Sequence, residues 1–159
     1  MSEGLYDTDI LVWSEQQADL LRRAARGERV NGLDWPNLIE EIEAVGRSEQ
    51  RAVRSNLRQA LVHLLKLAGW PSNPSAAHWA AETLAFLGEA RDDASPSIGN
   101  RLDLPRLYAD ALRQVRTDRI DAKPPATLPD ACPLTLDDLL GEDPDPAVLA
   151  QRLAATAPD

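Results

Sequence analysis

The sequence contains one cysteine, Cys132, and no long apolar run. A lone cysteine excludes an intrachain disulfide and a cysteine-based zinc cluster. No stretch approaches the ~18 consecutive apolar residues that a membrane-spanning helix needs. The first seven residues also lack the basic and apolar regions of a signal peptide. We therefore expect a cytoplasmic protein without a membrane partner.

Basic residues are outnumbered by acidic ones, 17 to 26, which gives a formal net charge of −9. Salt-driven binding of nucleic acid needs a broad basic surface, so we do not expect a nucleic-acid partner. The sequence also lacks a Walker loop, a Gly-x-Gly-x-x-Gly turn, a His-Glu-x-x-His pair and a Gly-x-Ser-x-Gly elbow. No common catalytic motif therefore assigns the chain to an enzyme class.

The strongest pattern is that of one long amphipathic helix from Asp34 to Leu67. Asp34 can cap its first turn, where the missing amide of Pro36 costs nothing. At 100° per residue, one set of residues should share a buried face: Ile39, Ile42, Gly46, Val53, Leu57, Ala60, Leu64 and Leu67. This helix should be the central element of the fold.

Other helices are predicted on both sides of it. The first should begin near Thr8 or Asp9 and end at Gly27, and a third should span 75–94. A fourth should run to about Ile120, with Pro105 either breaking it or marking its first turn. Four prolines within 122–133 predict an extended tail, followed by short helices over 135–140 and 144–156.

These elements predict an all-α fold, an antiparallel bundle of about four main helices with a proline-rich C-terminal tail and short terminal helices. The length of 159 residues suits one domain with its own core. We place a single bundle domain over residues 1–143 and a C-terminal helical extension over residues 144–159.

Several short motifs together resemble a known family. In chain order they are Tyr6-Asp-Thr-Asp, Trp13, Asn37-Leu-Ile-Glu-Glu-Ile-Glu, Gly46-Arg-Ser-Glu, His63-Leu-Leu-Lys, Ser95-Pro-Ser and Cys132-Pro133. Over residues 6–143 the chain resembles the bacterial domain-of-unknown-function family numbered twenty-nine. The resemblance implies an all-helical bundle of bacterial or cyanobacterial type and no established activity. The alanine-rich third helix departs from the more polar, arginine-bearing segment expected there.

A polar seam runs along the long helix at Glu49, Asn56 and His63. Residues seven apart drift by only ~20°, so the three should line one edge of the buried face. With His78 from the next helix, they could bind a metal or a small ligand. Neighbouring members of the seam lie about 10 Å apart along the helix axis, however, so one ion would need ligands from another helix. The alternative is a structural pairing that fixes the alignment of the bundle.

An arginine stripe, formed by Arg47, Arg51, Arg54 and Arg58, lies away from the apolar face of the same helix. It could be an ordinary solvated face, or it could bind phosphate or an acidic partner. The acidic C-terminal segment of this chain is a further candidate, through Asp130, Asp137, Asp138, Glu142, Asp143 and Asp145.

An acidic cluster at Glu40, Glu41 and Glu43 lies near the start of the long helix, where the helix dipole favours negative charge. Di-iron bundles combine such glutamates with Glu-x-x-His pairs. This sequence has no Glu-x-x-His, since His63 follows Ala60 and His78 follows Ser75 at that spacing. The cluster is therefore interpreted as structural.

The main hypothesis is a non-enzymatic cytoplasmic protein-interaction or regulatory module that acts through the arginine stripe and the C-terminal segment. A metal- or small-ligand-binding bundle, possibly an enzyme, is the alternative, with its site near His63; otherwise no cofactor is expected. Self-association is a third hypothesis, since the long helix could pair with its symmetry mate.

Overall fold

The computed structural model describes residues 4–158, and this part of the chain contains eight α-helices and no strand. In chain order the helices are α1 Leu5–Thr8, α2 Ile10–Ala25, α3 Trp35–Gly69, α4 Ala76–Asp93, α5 Pro96–Gly99, α6 Leu104–Thr117, α7 Leu136–Leu140 and α8 Pro146–Ala155. The predicted all-α fold is confirmed. Among the helices described, none is both long enough and apolar enough to cross a membrane.

Local sequence signals account for most helix ends. The Asp9 side chain caps α2 by accepting a hydrogen bond from the amide of Val12 at 3.1 Å. Thr135 and Asp138 form the predicted capping box of α7. Pro105 lies in the first turn of α6 and does not break it; the fourth helix instead begins late, at Leu104, after the separate short helix α5.

The chain forms two compact units, one ending at Ser48 and the other beginning at Glu49, so the division falls within α3. This differs from the boundary expected at residue 143. Leu149 and Leu153 of α8 are buried in the core of the second unit, and α8 contacts α4. The C-terminal helix therefore belongs to the second unit because its apolar face packs into that core.

The second unit has one hydrophobic core. The C-terminal half of α3 supplies its centre, where Val53, Leu57, Leu61 and Leu64 are fully buried. Helices α4, α6, α7 and α8 contribute further core residues, and Trp70, Leu128 and Leu134 add to the core from outside the helices. The core also holds the buried ring of Tyr108, whose hydroxyl donates to the carbonyl of Pro129 at 2.7 Å.

The proline-rich tail is tied to the end of α3 and to α6. The amide of Ala126 donates to the carbonyl of Gly69 at 2.8 Å, and the indole of Trp70 donates to the carbonyl of Lys123 at 3.2 Å. Arg116 binds both the Leu128 carbonyl and the Asp130 carboxylate. These bonds satisfy backbone groups that a segment without regular structure would otherwise leave unpaired.

The apolar face of α3 is buried in its second half and exposed in its first half. Val53, Leu57, Ala60 and Leu64 are buried as expected. Three apolar residues nearer the N-terminus are not: Trp35 is 57% exposed, Ile39 54% and Ile42 73%. In the first unit α3 turns a neighbouring face, carrying Asp34, Asn37, Leu38 and Glu41, toward its contacts with α1, α2 and the preceding loop. The expectation of one continuous buried face is therefore wrong for this half.

Candidate functional site

The side chains of the polar seam on α3 become more buried from Glu49 toward His63. Glu49 is exposed, whereas Asn56 and His63 are half-buried. His78, the proposed ligand from α4, is exposed. Only the His63 end of the seam therefore combines a titratable group with substantial burial.

The His63 ring lies against α4. It stacks on Phe86 with ring centroids 5.7 Å apart and an interplanar angle of 11°. Its Nδ1 atom is buried and has no hydrogen-bond partner among the described residues. The pKa of His63 is lowered, chiefly because burial disfavours the charged ring and also because Lys66 and His78 repel it, while Glu82 acts in the opposite direction. The imidazole is therefore held in its neutral form, which can accept a hydrogen bond or a metal.

Within the described part of the chain, no set of three metal-ligating side chains surrounds this ring. Among residues 4–158, histidine, cysteine, aspartate and glutamate form no group of three that could hold an ion. Glu82 and His78 are near enough to shift the pKa of His63. The described residues thus provide an imidazole nitrogen without a hydrogen-bond partner and the nearby carboxylate of Glu82, but no complete set of metal ligands.

The lowered pKa of His63 predicts a specific pH dependence of stability. The unfolded chain takes up a proton near the ordinary value of 6.5, before the folded chain does. The resulting stability is fully present above that pH and is lost as pH falls toward the folded pKa. We expect the melting temperature to fall between pH 7 and pH 5, and His63→Phe to reduce that fall. His78→Gln removes only the smallest of the contributions that lower the pKa of His63, so it should change the fall less than His63→Phe does; equal slopes in all three proteins would contradict this account.

The arginine stripe does not receive the acidic C-terminal segment in the described part of the chain. Arg47 pairs with Glu40 and Glu43, and Arg58 donates to Gln114 of α6 at 3.0 Å. The acidic residues have other partners: Asp130 pairs with Arg116 and Asp138 with Arg152, each at 2.7 Å. The Arg152 pair, together with bonds from Thr135, lowers the pKa of Asp138 to about 2.

One member of the stripe contributes to a surface pocket of the second unit. Arg54 lines this cavity of about 180 Å³ together with Gln50, Arg101, Asp103, Arg106 and Leu107. Sequence reasoning had selected Arg54 but had missed Arg101 and Arg106, which lie 47 and 52 positions later in the sequence. No local pattern links them, since the packing of the second unit brings them together.

The motif residues of the first unit form one cluster that sequence reasoning had left unconnected. The Tyr6 hydroxyl donates to Glu41 at 2.7 Å, and the Tyr6 ring meets the Trp13 ring edge-on, with centroids 4.9 Å apart. The Trp13 indole and the Asn37 amide both donate to Asp34, at 3.1 and 2.7 Å. Hydrogen bonding by Asn37, more than that by Trp13, lowers the pKa of Asp34. These residues therefore connect α1 and α2 to the start of α3.

An apolar stripe is left uncovered on the same unit. It consists of Trp35, Ile39, Ile42 and Gly46, spaced at four, three and four residues along α3. A Cβ atom added at Gly46 would meet nothing within 4 Å. Ile10 and Leu11 of α2 are also exposed. Monomers seldom expose neighbouring large apolar side chains in this way unless the surface binds something.

Comparison with known proteins agrees with the motifs. The family model described as "Domain of unknown function DUF29" matches residues 5–143. A crystal structure of an α-helical protein of unknown function from Rhodospirillum rubrum is 32% identical to the chain. The match covers 96% of this chain and 99% of that protein, with a TM-score of 0.72. No curated protein matches. The chain therefore belongs to the DUF29 family, which is defined by a domain of unknown function.

Proposed function

We propose that this protein is a non-enzymatic interaction module that associates with a second copy of itself. The contact is the apolar stripe Trp35, Ile39, Ile42 and Gly46 on the first half of α3. The observation that carries the proposal is the exposure of its three large side chains, each more than half accessible to solvent.

The symmetry of the stripe favours a second copy over another partner. In an antiparallel pair related by a two-fold axis, a centre between Glu40 and Glu41 places Ile39 of one copy opposite Ile42 of the other. The same register places Trp35 opposite Gly46, so the largest side chain faces the residue without one. A two-fold contact requires such a self-complementary surface. Gly46 otherwise costs helix stability, about 0.5–1 kcal/mol relative to alanine, for no benefit within one chain.

Charge around the stripe is compatible with close approach. The acidic residues Glu40 and Glu43 are both paired with Arg47 in the same chain, and Glu41 accepts the bond from Tyr6. These intrachain partners reduce the repulsion between the acidic clusters of two copies. Each large apolar side chain that the contact buries adds on the order of 1 kcal/mol, since about half of its surface is still available.

Cross-linking tests both the contact and its register. In a Cys132→Ser background, one preparation carries Ile39→Cys and another carries Ile42→Cys. Opposed positions across a closely packed pair can approach the Cβ–Cβ separation of roughly 3.5–4.5 Å that a disulfide needs. We expect the mixed sample to form the 39–42 disulfide faster than either preparation alone forms its own.

A matched control uses Glu40→Cys in the same background, because Glu40 is exposed and lies about 130° around the helix from the stripe. It should form disulfide only at the slow rate of random collision. If the mixed sample were no faster than the Glu40→Cys control, two copies would not meet through this stripe.

A small-ligand site at His63 is the second candidate. It is supported by the buried Nδ1 atom without a hydrogen-bond partner among the described residues and by the neighbouring Glu82. We place it second because the described side chains around the ring supply no further set of ligands.

A further inference from the structure

The pocket at Arg54 concentrates positive charge on an acidic protein. Three arginines line it, Arg54 from α3, Arg101 from the turn before α6, and Arg106 from α6. A single carboxylate, that of Asp103, accompanies them. The local formal charge is therefore positive, whereas the whole chain carries −9.

These three guanidinium groups have no partner in the described part of the chain. None of them takes part in an ion pair or a side-chain hydrogen bond there. Asp103 does not neutralise them by direct contact, because its carboxylate accepts the amide of Arg106 at 3.1 Å as the cap of α6. Like charges gathered without partners repel one another unless an anion lies between them.

The start of α6 adds to the positive potential. This helix has 14 residues, and its N-terminal end lies at the pocket because Asp103, Arg106 and Leu107 line it. A helix N-terminus carries roughly half a positive elementary charge. Buried Leu107 adds an apolar surface to the lining, which strengthens the attraction of the arginines for an anion.

We propose that this pocket binds the phosphoryl group of a small phosphorylated ligand. The guanidinium fork matches phosphate oxygens in paired hydrogen bonds, and three arginines suit a dianion better than a singly charged carboxylate. A cavity of about 180 Å³ has room for one phosphoryl group and a few further atoms. This site is independent of the apolar stripe and of self-association.

The first test is calorimetric titration of the full chain with inorganic phosphate at pH 8, with sodium chloride matched for ionic strength. We expect one saturable site for phosphate and none for chloride. Arg54→Gln and Arg106→Gln should each weaken phosphate binding at least tenfold, because each removes a charge-assisted hydrogen bond. Glycerol 3-phosphate should bind at least as tightly as phosphate, and acetate at least tenfold more weakly.

Two matched variants sharpen the result. Arg113→Gln removes an exposed arginine of α6 that lies outside the pocket and pairs with Asp110, and it should change the affinity less than twofold. Asp103→Asn keeps a capping side chain but removes the only carboxylate of the pocket, so it should tighten phosphate binding. The proposal is overturned if phosphate shows no saturable binding, or if Arg54→Gln and Arg113→Gln weaken binding equally.

Discussion

Ile42→Asp is expected to abolish self-association while leaving the single chain folded. Ile42 is the most exposed of the three large side chains of the apolar stripe, at 73%, so it loses little intrachain packing when it is replaced. Isoleucine and aspartate also differ little in helix propensity. The short carboxylate cannot extend to solvent from the middle of a closed contact, as a lysine side chain can.

The expected effect is large because a two-fold contact contains the change twice. Each site loses on the order of 1 kcal/mol of apolar burial and also takes on about 1 kcal/mol or more for desolvating a carboxylate, so dimerisation weakens by about 4 kcal/mol, or roughly a thousandfold in the dissociation constant. Leu84→Asp is the matched control, since Leu84 is an exposed leucine on α4 that belongs to the second unit and not to the stripe. It should leave dimerisation within a few-fold of the unaltered protein. If both changes weaken dimerisation equally, the contact lies elsewhere.

Gly69→Ala is expected to destabilise the second unit although alanine is the better helix former. A Cβ atom at position 69 would lie 2.8 Å from the Cβ atom of Pro125, closer than packed carbon atoms approach. The contact cannot relax freely, because the neighbouring Ala126 amide is bonded to the Gly69 carbonyl. Overpacking of this kind costs about 1–3 kcal/mol. A chemical denaturation series would measure this cost directly.

Gly88→Ala separates that contact from helix propensity. Gly88 lies inside α4, and an added Cβ atom there meets nothing within 4 Å. It should therefore stabilise the protein by about 0.5–1 kcal/mol. Opposite signs for the two glycines are the expected result. Equal stabilisation by both would mean that the proline-rich tail does not pack against the end of α3.

Helix ends were predictable because their signals are local. The capping box at Thr135 acts within four residues, and the structure confirms it. Of the alternatives that the sequence left open, the structure shows Asp9 as the cap of α2 and Pro105 in the first turn of α6. Such bonds need only the backbone amides of one helical turn. That α8 is part of the second unit could not be predicted in this way. It depends on core residues, distant in sequence, against which Leu149 and Leu153 pack.

Whether an apolar helix face is buried or exposed could likewise not be predicted from the sequence. Apolar periodicity is equally good at Ile42 and at Leu57, yet the first is exposed and the second fully buried. Periodicity shows that a face is apolar but does not identify what covers it. The same holds for the pocket, since Arg54 meets Arg101 and Arg106 only through the packing of the second unit. The sequence therefore indicated Ile39, Ile42 and Gly46 as part of an apolar face but not that this face is exposed. It indicated Arg54 as a surface arginine but not the two arginines that line the same pocket.

Sedimentation equilibrium of the unaltered full chain, over a wide range of concentration, tests self-association most directly. The account predicts a reversible shift from the 17.4 kDa monomer to a particle of twice that mass, with Ile42→Asp remaining monomeric under the same conditions. A chain that stays at 17.4 kDa up to several hundred micromolar would contradict it. The exposed stripe would then require a partner other than a second copy.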